Sequence, residues 1–385
     1  MADGAASPRP TSPAERIDAI DVLRGIALFG VMAINVVTEF RVSIFEQFLS
    51  SKPAASPVDH AIETILTLAV ELKAFALFSL LFGVGLAIQF ERLANSERRT
   101  SLLVRRLAVL LAFGLIHLCL IWNGDILTEY ALAGLIVLPF LFGPRWLLAF
   151  AALTFLVLYL AMQAFPPAGL FPSMAAITQD IAEATRIYAT GGFLDVLAFR
   201  LREIPLIAPL HAFIFPRTIG LFLLGAYTWR TGILRAPRQA LTFSIAAAGI
   251  GLGATWIILN HTEGLVGSDP LGTILLALGY GAAIIGIANL KRGKSLLGWA
   301  APLGRMAFTN YLAQSLIFGW IFYGYGLGLF GRLGVANALA IGIVVYIGQV
   351  FFSAWWLRRY QYGPVEWLWR TLMYGAAQPM SRLPP

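Results

Sequence analysis

A histidine and a nearby aspartate, His117 and Asp125, have the side chains that acid–base chemistry requires. They lie in the stretch GLIHLCLIWNGDIL, where Asn123-Gly124 interrupts an apolar helical pattern. An imidazole accepts a proton near neutral pH, and a carboxylate beside it fixes which ring nitrogen carries the proton. The pair is therefore a candidate general base, and the alternative is a histidine that only packs and hydrogen bonds.

The first apolar segment carries three polar residues on one face. Asp21, Arg24 and Asn35 fall within a stripe of about 60° when successive residues are placed about 100° apart around a helix. Charged side chains in an apolar helix are costly to bury, so this face must meet protein or water. One interpretation is a binding site for a charged ligand. The other is an internal Asp–Arg ion pair that fixes the helix in place.

Two further segments carry polar residues within apolar surroundings. Lys73 lies in VELKAFALFSLLFGVG, with Glu71 close in sequence but on a different helical face. This lysine is interpreted either as one half of an ion pair or as a group that stabilises developing negative charge. Near the other end of the chain, PLGRMAFTNYLAQS places Asn310 and Gln314 one turn apart. Such amides commonly join neighbouring membrane helices.

Composition indicates which elements hold these residues. Of 385 residues, 58% are hydrophobic and 12% are charged, whereas soluble domains are roughly half apolar and a quarter charged. This excludes a soluble enzyme, and it argues against nucleic-acid binding despite the net charge of +8, because little polar surface is left for a basic patch. The single Cys119 provides no disulfide framework, and no motif implies a metal or a bound cofactor.

Runs of roughly 20 apolar residues, the length that crosses a bilayer, predict an all-α polytopic bundle of about ten transmembrane helices. We place them at 20–37, 61–90, 102–122, 127–142, 146–165, 206–229, 241–259, 271–290, 300–323 and 335–357. Most of the 28 Lys and Arg fall in segments on the same side as the N-terminus. The positive-inside rule therefore predicts that both termini are cytoplasmic.

The chain divides into a core domain and two tails. Residues 1–15 are rich in Pro, Ala and Ser and are predicted to form a disordered cytoplasmic tail. Residues 16–375 are predicted to form a single transmembrane domain, followed by a C-terminal tail over 376–385. Within the domain, the segment 166–205 has apolar residues at helical spacing, which predicts an amphipathic helix on the outer surface.

Five stretches of the chain together form a recognisable set of motifs. They are IDAIDVLRGIALFGVMAIN (17–35), LKAFALFSLLFGVGLAIQ (72–89), RRLAVLLAFGLIHLCLIWNGDILTEYALAGL (105–135), GRMAFTNYLAQSL (304–316) and GPVEWLWR (363–370). These motifs resemble the YeiB-like family of bacterial membrane proteins (domain of unknown function 418). Their order and spacing agree with the family over nearly the whole chain. The resemblance implies a multi-pass protein of the bacterial inner membrane.

The opening Asp21-x-x-Arg24-Gly25 is also distantly similar to membrane acyltransferases of the heparan-glucosaminide acetyltransferase type. That resemblance implies a cytoplasmic acyl-CoA donor, an acceptor hydroxyl or amine on the far side, and a membrane histidine between them. The present sequence departs from those enzymes, because no histidine directly follows the first helix. His117 is the candidate by its chemistry and by its place in the YeiB-like motif.

The first functional hypothesis is accordingly a transmembrane acyltransferase. Asp21, Arg24 and Arg305, all expected near the inner side, would receive the anionic acyl-CoA donor. His117 with Asp125 would deprotonate a sugar, lipid or other small acceptor at the outer side. This hypothesis therefore predicts a path between the two groups of residues.

Two further residues, Asn35 or Lys73, would steady the negative charge that develops during acyl transfer. The second hypothesis is a transporter or permease, in which the same buried groups form a path for a solute or for protons. Both hypotheses require the lipid bilayer as a partner, and both leave open a homo-oligomer. An acylated product distinguishes them, because a transporter forms none.

Overall fold

The computed structural model describes residues 18–49, 56–167, 169–260 and 269–381, and these residues form a bundle of α-helices. The helices are α1 (Asp18–Asn35), α2 (Pro57–Ala69), α3 (Lys73–Arg92), α4 (Arg99–Ile116), α5 (Leu127–Val137), α6 (Arg145–Ala164), α7 (Met174–Thr190), α8 (Phe193–Arg230), α9 (Gln239–Asn260), α10 (Pro270–Ala288), α11 (Lys291–Leu297), α12 (Ala300–Arg305), α13 (Ala307–Phe322), α14 (Val335–Arg359) and α15 (Pro364–Tyr374). The all-α fold is confirmed. The predicted tail 1–15 lies outside the described residues, and 376–385 is described as far as Ser381.

The surface of the bundle is apolar where that of a soluble protein is polar. Large hydrophobic side chains such as Ile258 (75% exposed) and Phe351 (71% exposed) point away from the protein, whereas Arg200 and Arg217 are buried. Eight of the described helices are long and apolar enough to cross a membrane. They are Asp18–Phe40, Pro57–Arg92, Arg99–Ile121, Arg145–Ala164, Phe193–Arg230, Gln239–Asn260, Pro270–Ala288 and Val335–Arg359. The protein is thus a polytopic membrane protein.

The remaining two of the ten predicted spans are short helices. The segment predicted at 127–142 forms the apolar helix Leu127–Phe142. The segment predicted at 300–323 divides at Met306 into α12 and α13. At about 1.5 Å per residue, the 16 residues of α13 extend about 24 Å, which is less than a hydrocarbon core of about 30 Å.

The sixth predicted span starts too late in the sequence. We placed its beginning at residue 206, but α8 begins at Phe193 and continues for 38 residues. Arg200 and Glu203 belong to the segment 166–205, which is predicted to lie on the outer surface, yet the structure buries both of them inside the bundle. The segment 166–205 therefore contains α7 together with the first turns of α8.

The helix predicted within that segment is α7. Its apolar stripe packs against the bundle, with Ala184, Ile187 and Tyr188 buried. Asp180 is buried as well and shares a hydrogen bond with Glu203. Burial raises the pKa of Asp180. The helix is thus held by a polar contact as well as by apolar packing.

The first motif of the chain (17–35) packs directly against α12, whose last residues begin the motif 304–316. A Cβ atom at Gly25 of α1 would collide with the carbonyl oxygen of Ala300, and one at Gly304 would collide with that of Asp21. The absence of a side chain at both positions therefore lets α1 and α12 touch through their backbones. This contact brings Asp21 and Arg305 to the same end of the bundle, which we call the arginine-rich end.

Candidate active site

A continuous hydrogen-bonded chain joins an aspartate, a histidine and a serine inside the bundle. The Nδ1 atom of His117 lies 2.8 Å from Oδ1 of Asp125, and its Nε2 atom lies 2.9 Å from Oγ of Ser315. His117 has no exposed surface, and the other two residues are 2% exposed. We call these three residues the triad.

Local backbone structure explains why Asp125 lies beside the imidazole. Helix α4 widens into a π-helical turn over His117–Ile121, and Trp122 then adopts an extended conformation that ends the helix. Such turns recur at functional sites because they displace side chains from the regular helical positions. The chain reverses at Asn123-Gly124, and Asp125 accepts hydrogen bonds from the backbone N–H groups of Leu127 (3.1 Å) and Thr128 (2.7 Å). Asp125 therefore caps α5 and orients His117 at once.

The carboxylate of Asp125 determines which ring nitrogen of His117 carries the proton. A carboxylate only accepts hydrogen bonds, so the Nδ1 atom of His117 must carry the proton in this contact. The neutral ring then leaves Nε2 as an acceptor, and the hydroxyl of Ser315 donates to it. The resulting order of donors and acceptors, serine to histidine to aspartate, is the order that activates a serine hydroxyl.

A large cavity extends into the protein from the arginine-rich end. Its volume is about 420 Å³, within the range of small-molecule sites. Arginines that line it are Arg24, Arg92, Arg106, Arg305 and Arg370. Apolar side chains of several helices follow deeper in the cavity, among them Val31, Phe82 and Leu110. The cavity therefore combines a cationic mouth with an apolar interior.

The cavity ends next to the triad. Ile126, Leu127 and Tyr311 line it, and the backbone of Leu127 donates a hydrogen bond to Asp125. The ring of Tyr311 packs against the imidazole of His117 with 5.2 Å between their centres. Tyr311 is held by a 3.3 Å hydrogen bond from its hydroxyl to the carbonyl oxygen of Gly124. One aromatic side chain thus separates the end of the cavity from the triad.

A second, much smaller pocket lies on the other side of the Asn123-Gly124 turn. Its volume is about 10 Å³, about enough for one water molecule. Glu39, Trp122 and Glu203 line it together with the turn itself. The amide of Asn123 donates a hydrogen bond to Glu203, and the edge of Trp122 meets the ring of His117. His117 of the triad therefore contacts a lining residue of each of the two pockets, Tyr311 of the cavity and Trp122 of the polar pocket.

The residues predicted to receive a donor all line the cavity. Asp21 and Arg24 form an ion pair of 2.9 Å there, and Arg305 lies among the same lining residues. Arg106 also lines it, with its guanidinium 4.3 Å from the ring of Trp369 and its buried Nε atom without a hydrogen-bond partner among the described residues. A buried guanidinium with a free N–H suits an anionic ligand.

The residues predicted to steady an oxyanion are not part of this site. The Nζ atom of Lys73 donates to the carbonyl oxygen of Thr67 at 3.0 Å, beyond the break between α2 and α3. Asn35 is buried in α1, and its Oδ1 atom has no hydrogen-bond partner in the described part of the chain. Neither residue lines the cavity. The structure thus does not bring Asn35 or Lys73 to the triad.

The amides predicted to join helices do join them. The Nδ2 atom of Asn310 donates to Oγ of Ser353 at 3.0 Å, and Nε2 of Gln314 donates to Oε1 of Gln349 at 2.8 Å. Gln349 returns a hydrogen bond to the carbonyl oxygen of Asn310. These contacts fasten α13 to α14 and therefore fix the position of Ser315, which follows Gln314 in the sequence.

Sequence reasoning missed the contacts of Ser315 and Tyr311 with His117. The structure also shows a second histidine–carboxylate pair: His211 lies within α8, and its Nδ1 atom is 2.9 Å from Oε2 of Glu129. Thr218 donates to the other oxygen of Glu129. Ser315 and Tyr311 belong to the motif GRMAFTNYLAQSL. The spacing of apolar residues in this motif does not indicate which of its residues contacts His117. Among the described residues, no group of three or more His, Cys, Asp or Glu could hold a metal ion.

Comparison with known proteins identifies the family. A family model described as a protein of unknown function (DUF418) matches residues 228–376. The uncharacterized protein YxaH of Bacillus subtilis (strain 168) is 35% identical, over 97% of this chain and 98% of its own length. The uncharacterized protein YeiB of Escherichia coli (strain K12) is 30% identical, over 95% and 98% of the two chains. The resemblance of the five motifs is thereby confirmed, and the chain belongs to the YeiB-like family (DUF418).

Proposed function

We propose that this protein is an integral-membrane acyltransferase that moves an acyl group from an acyl-CoA-type donor to an acceptor on the other side of the membrane. The observation that carries the proposal is the cavity, which runs from the arginine-rich end to residues that touch His117 and Asp125. An anionic donor would bind the arginines of the mouth, and its acyl group would lie in the apolar interior. This arrangement delivers the thioester to the triad.

Acid–base chemistry at His117 would then drive the transfer. The nucleophile loses its proton to Nε2 as it attacks the acyl carbonyl, and the imidazolium that forms is stabilised by Asp125. The proton subsequently passes to the departing thiolate. Because His117 and Asp125 are buried, water is kept from the charges that develop, which strengthens each of these interactions.

The acceptor would approach from the opposite end of the bundle. At about 1.5 Å per residue, His117 lies about 27 Å along α4 from Arg99, which is close to the far side of a hydrocarbon core of about 30 Å. The polar pocket at the Asn123-Gly124 turn lies on that side of the triad. Its hydrogen-bonding groups suit a hydroxyl or amine acceptor, such as that of a sugar or a lipid head group.

Membrane orientation follows from the same geometry. The donor belongs to the cytoplasm, and the positive-inside rule favours the arginine-rich end on that side. The proposed location is thus the bacterial inner membrane with both termini in the cytoplasm.

Two exposed alanines provide a test of this orientation in a Cys119→Ser background. Ala182 lies on α7, and Ala236 lies between α8 and α9 at the arginine-rich end. In intact spheroplasts, a membrane-impermeant maleimide should label Ala182→Cys at once and Ala236→Cys only after the membrane is opened. Mass-tag gel shifts measure both. Labelling of Ala236→Cys in sealed spheroplasts would contradict the orientation.

The experiment that tests the transferase uses the purified protein in proteoliposomes with radiolabelled acetyl-CoA and an extract of bacterial envelope as the source of acceptor. We expect free thiol to appear together with label in the lipid or glycan fraction, at a rate proportional to the protein. Liposomes without protein and protein heated before assay are the controls. Absence of label from every fraction with acetyl-CoA and with longer acyl-CoA donors would refute acyl transfer.

A transporter is the second candidate, and one observation favours it. The large cavity and the small pocket lie on opposite sides of a closed barrier formed by Tyr311 and the Asn123-Gly124 turn, as in proteins that open alternately to each side. The transport hypothesis predicts solute movement and no acylated product. The assay above therefore distinguishes the two candidates.

A further inference from the structure

The hydroxyl of Ser315 has two possible acceptors, and the geometry selects one of them. A serine within a helix can donate to the carbonyl four residues earlier, which here belongs to Tyr311 at 3.3 Å. The Nε2 atom of His117 is closer, at 2.9 Å. Because the proton on Nδ1 leaves Nε2 without one, the shorter contact requires Ser315 to be its donor. The serine is thus placed to lose its proton to the imidazole.

We propose that Ser315 is the nucleophile of a two-step transfer and carries the acyl group as a covalent ester between the donor and the acceptor. The inference rests on the proposed function and adds to it the intermediate and the residue that forms it. His117 remains the base, and Asp125 remains the group that orients it. Nucleophile, base and orienting carboxylate in hydrogen-bond contact are the signature of covalent catalysis.

The first step acylates the serine. As the Ser315 oxygen attacks the thioester carbonyl carbon, its proton passes to Nε2 of His117. The new C–O bond forms, the C–S bond breaks, and the imidazolium returns the proton to the leaving thiolate. The products are an acyl-serine and a free thiol, so no other reactant is consumed.

The second step transfers the acyl group to the acceptor. A hydroxyl or amine attacks the ester carbonyl while His117 takes its proton, and the C–O bond to Ser315 breaks. The proton then returns to the serine oxygen, and the triad is restored. A covalent intermediate fits the two-sided site, because donor and acceptor need not occupy it together.

Tyr311 controls access of the donor to the serine. It lies one helical turn before Ser315 on α13, lines the end of the cavity and packs on His117. Its hydroxyl also interacts with the backbone N–H of Ile126, another residue of the cavity wall. When the tyrosine side chain rotates, the thioester reaches Ser315 and the Ile126 N–H becomes free to donate to the oxyanion.

The test is to trap the acyl-serine. Purified protein in detergent is incubated with radiolabelled acetyl-CoA in the absence of acceptor, quenched in acid and mapped by peptide mass spectrometry. We expect one acetyl group on Ser315 of the wild type and no label on Ser315→Ala, whose rate of transfer falls about 10⁶-fold. Ser315→Cys should regain the label as a thioester that neutral hydroxylamine removes. Thr242→Val is the control for loss of a buried hydroxyl, because Thr242 of α9 donates to the carbonyl oxygen of Arg238 and does not line the cavity; this variant should be labelled like the wild type.

The outcomes separate this inference from the proposed function. If Ser315→Ala transfers acetyl groups as fast as the wild type, the serine intermediate is refuted while acyl transfer stands. Label on His117 instead of Ser315, or active wild type and Ser315→Cys proteins that both remain unlabelled, refutes it as well. If the wild type transfers no acyl group to any acceptor, it is the proposed function that fails.

Discussion

Replacing His117 by alanine should abolish acyl transfer while the protein still inserts and folds. The substitution removes the base of the proposed mechanism, and loss of the histidine from such a triad lowers the rate about 10⁶-fold. Asp125→Asn should cost less, about 10⁴-fold, because the base remains but its orientation and tautomer are no longer fixed. The rate of thiol release from acetyl-CoA per folded molecule, with folded protein measured by size-exclusion chromatography, checks both values.

If the triad had only a structural role, the substitutions would lower the amount of folded protein and not its activity. His117 and Asp125 are buried and hydrogen-bonded, so either substitution leaves unpaired polar groups that destabilise the fold. If that were their whole role, the yield of folded protein would fall while each folded molecule kept its activity. His60→Ala is the matched control, because His60 is exposed on α2 and should tolerate the change in both measures. Full activity of folded His117→Ala protein would end the acid–base proposal.

The contact between His117 and Asp125 could be anticipated because it is local in the sequence. Asn123-Gly124 stops the helix, and an aspartate directly before a new helix commonly caps it. The same turn that supplies the cap returns the carboxylate to the imidazole. Ser315 is 198 residues away, and its approach depends on how α13 packs against α4. No periodicity within one helix encodes that packing.

The positions of the buried charged residues could not be predicted from the sequence. Arg200 and Glu203 lie in the segment predicted to be on the outer surface, yet both are buried inside the bundle. Glu203 accepts hydrogen bonds from Tyr188 and Asn123, and the guanidinium of Arg200 lies 5.7 Å from the centre of the Tyr323 ring. Lys73 was interpreted either as one half of an ion pair or as a group that stabilises developing negative charge, yet its amine donates to the carbonyl oxygen of Thr67 beyond the break before α3. A hydropathy pattern records the cost of burying a charge and does not record the partner that offsets it.

Filling the cavity should stop the reaction without disturbing the fold. Gly85 of α3 lines the cavity, and a Cβ atom built on it meets no other atom within 4 Å. A tryptophan at this position would enter the space proposed for the acyl group. We expect Gly85→Trp to lower kcat/KM for acetyl-CoA by about 10²-fold or more, because donor and side chain compete for the same volume.

The control for this substitution is a glycine that has equally open space around it but lies outside the cavity. Gly251 of α9 also has no atom within 4 Å of a built Cβ, but it faces outwards and is exposed. Gly251→Trp should therefore keep the wild-type kcat/KM, and thermal unfolding should show both variants folded, since an indole in open space forces no neighbour to move. Gly85→Ala adds only a methyl group and should lie between the wild type and Gly85→Trp. If Gly85→Trp transferred acyl groups at the wild-type rate, the donor would have to reach His117 by a route other than this cavity.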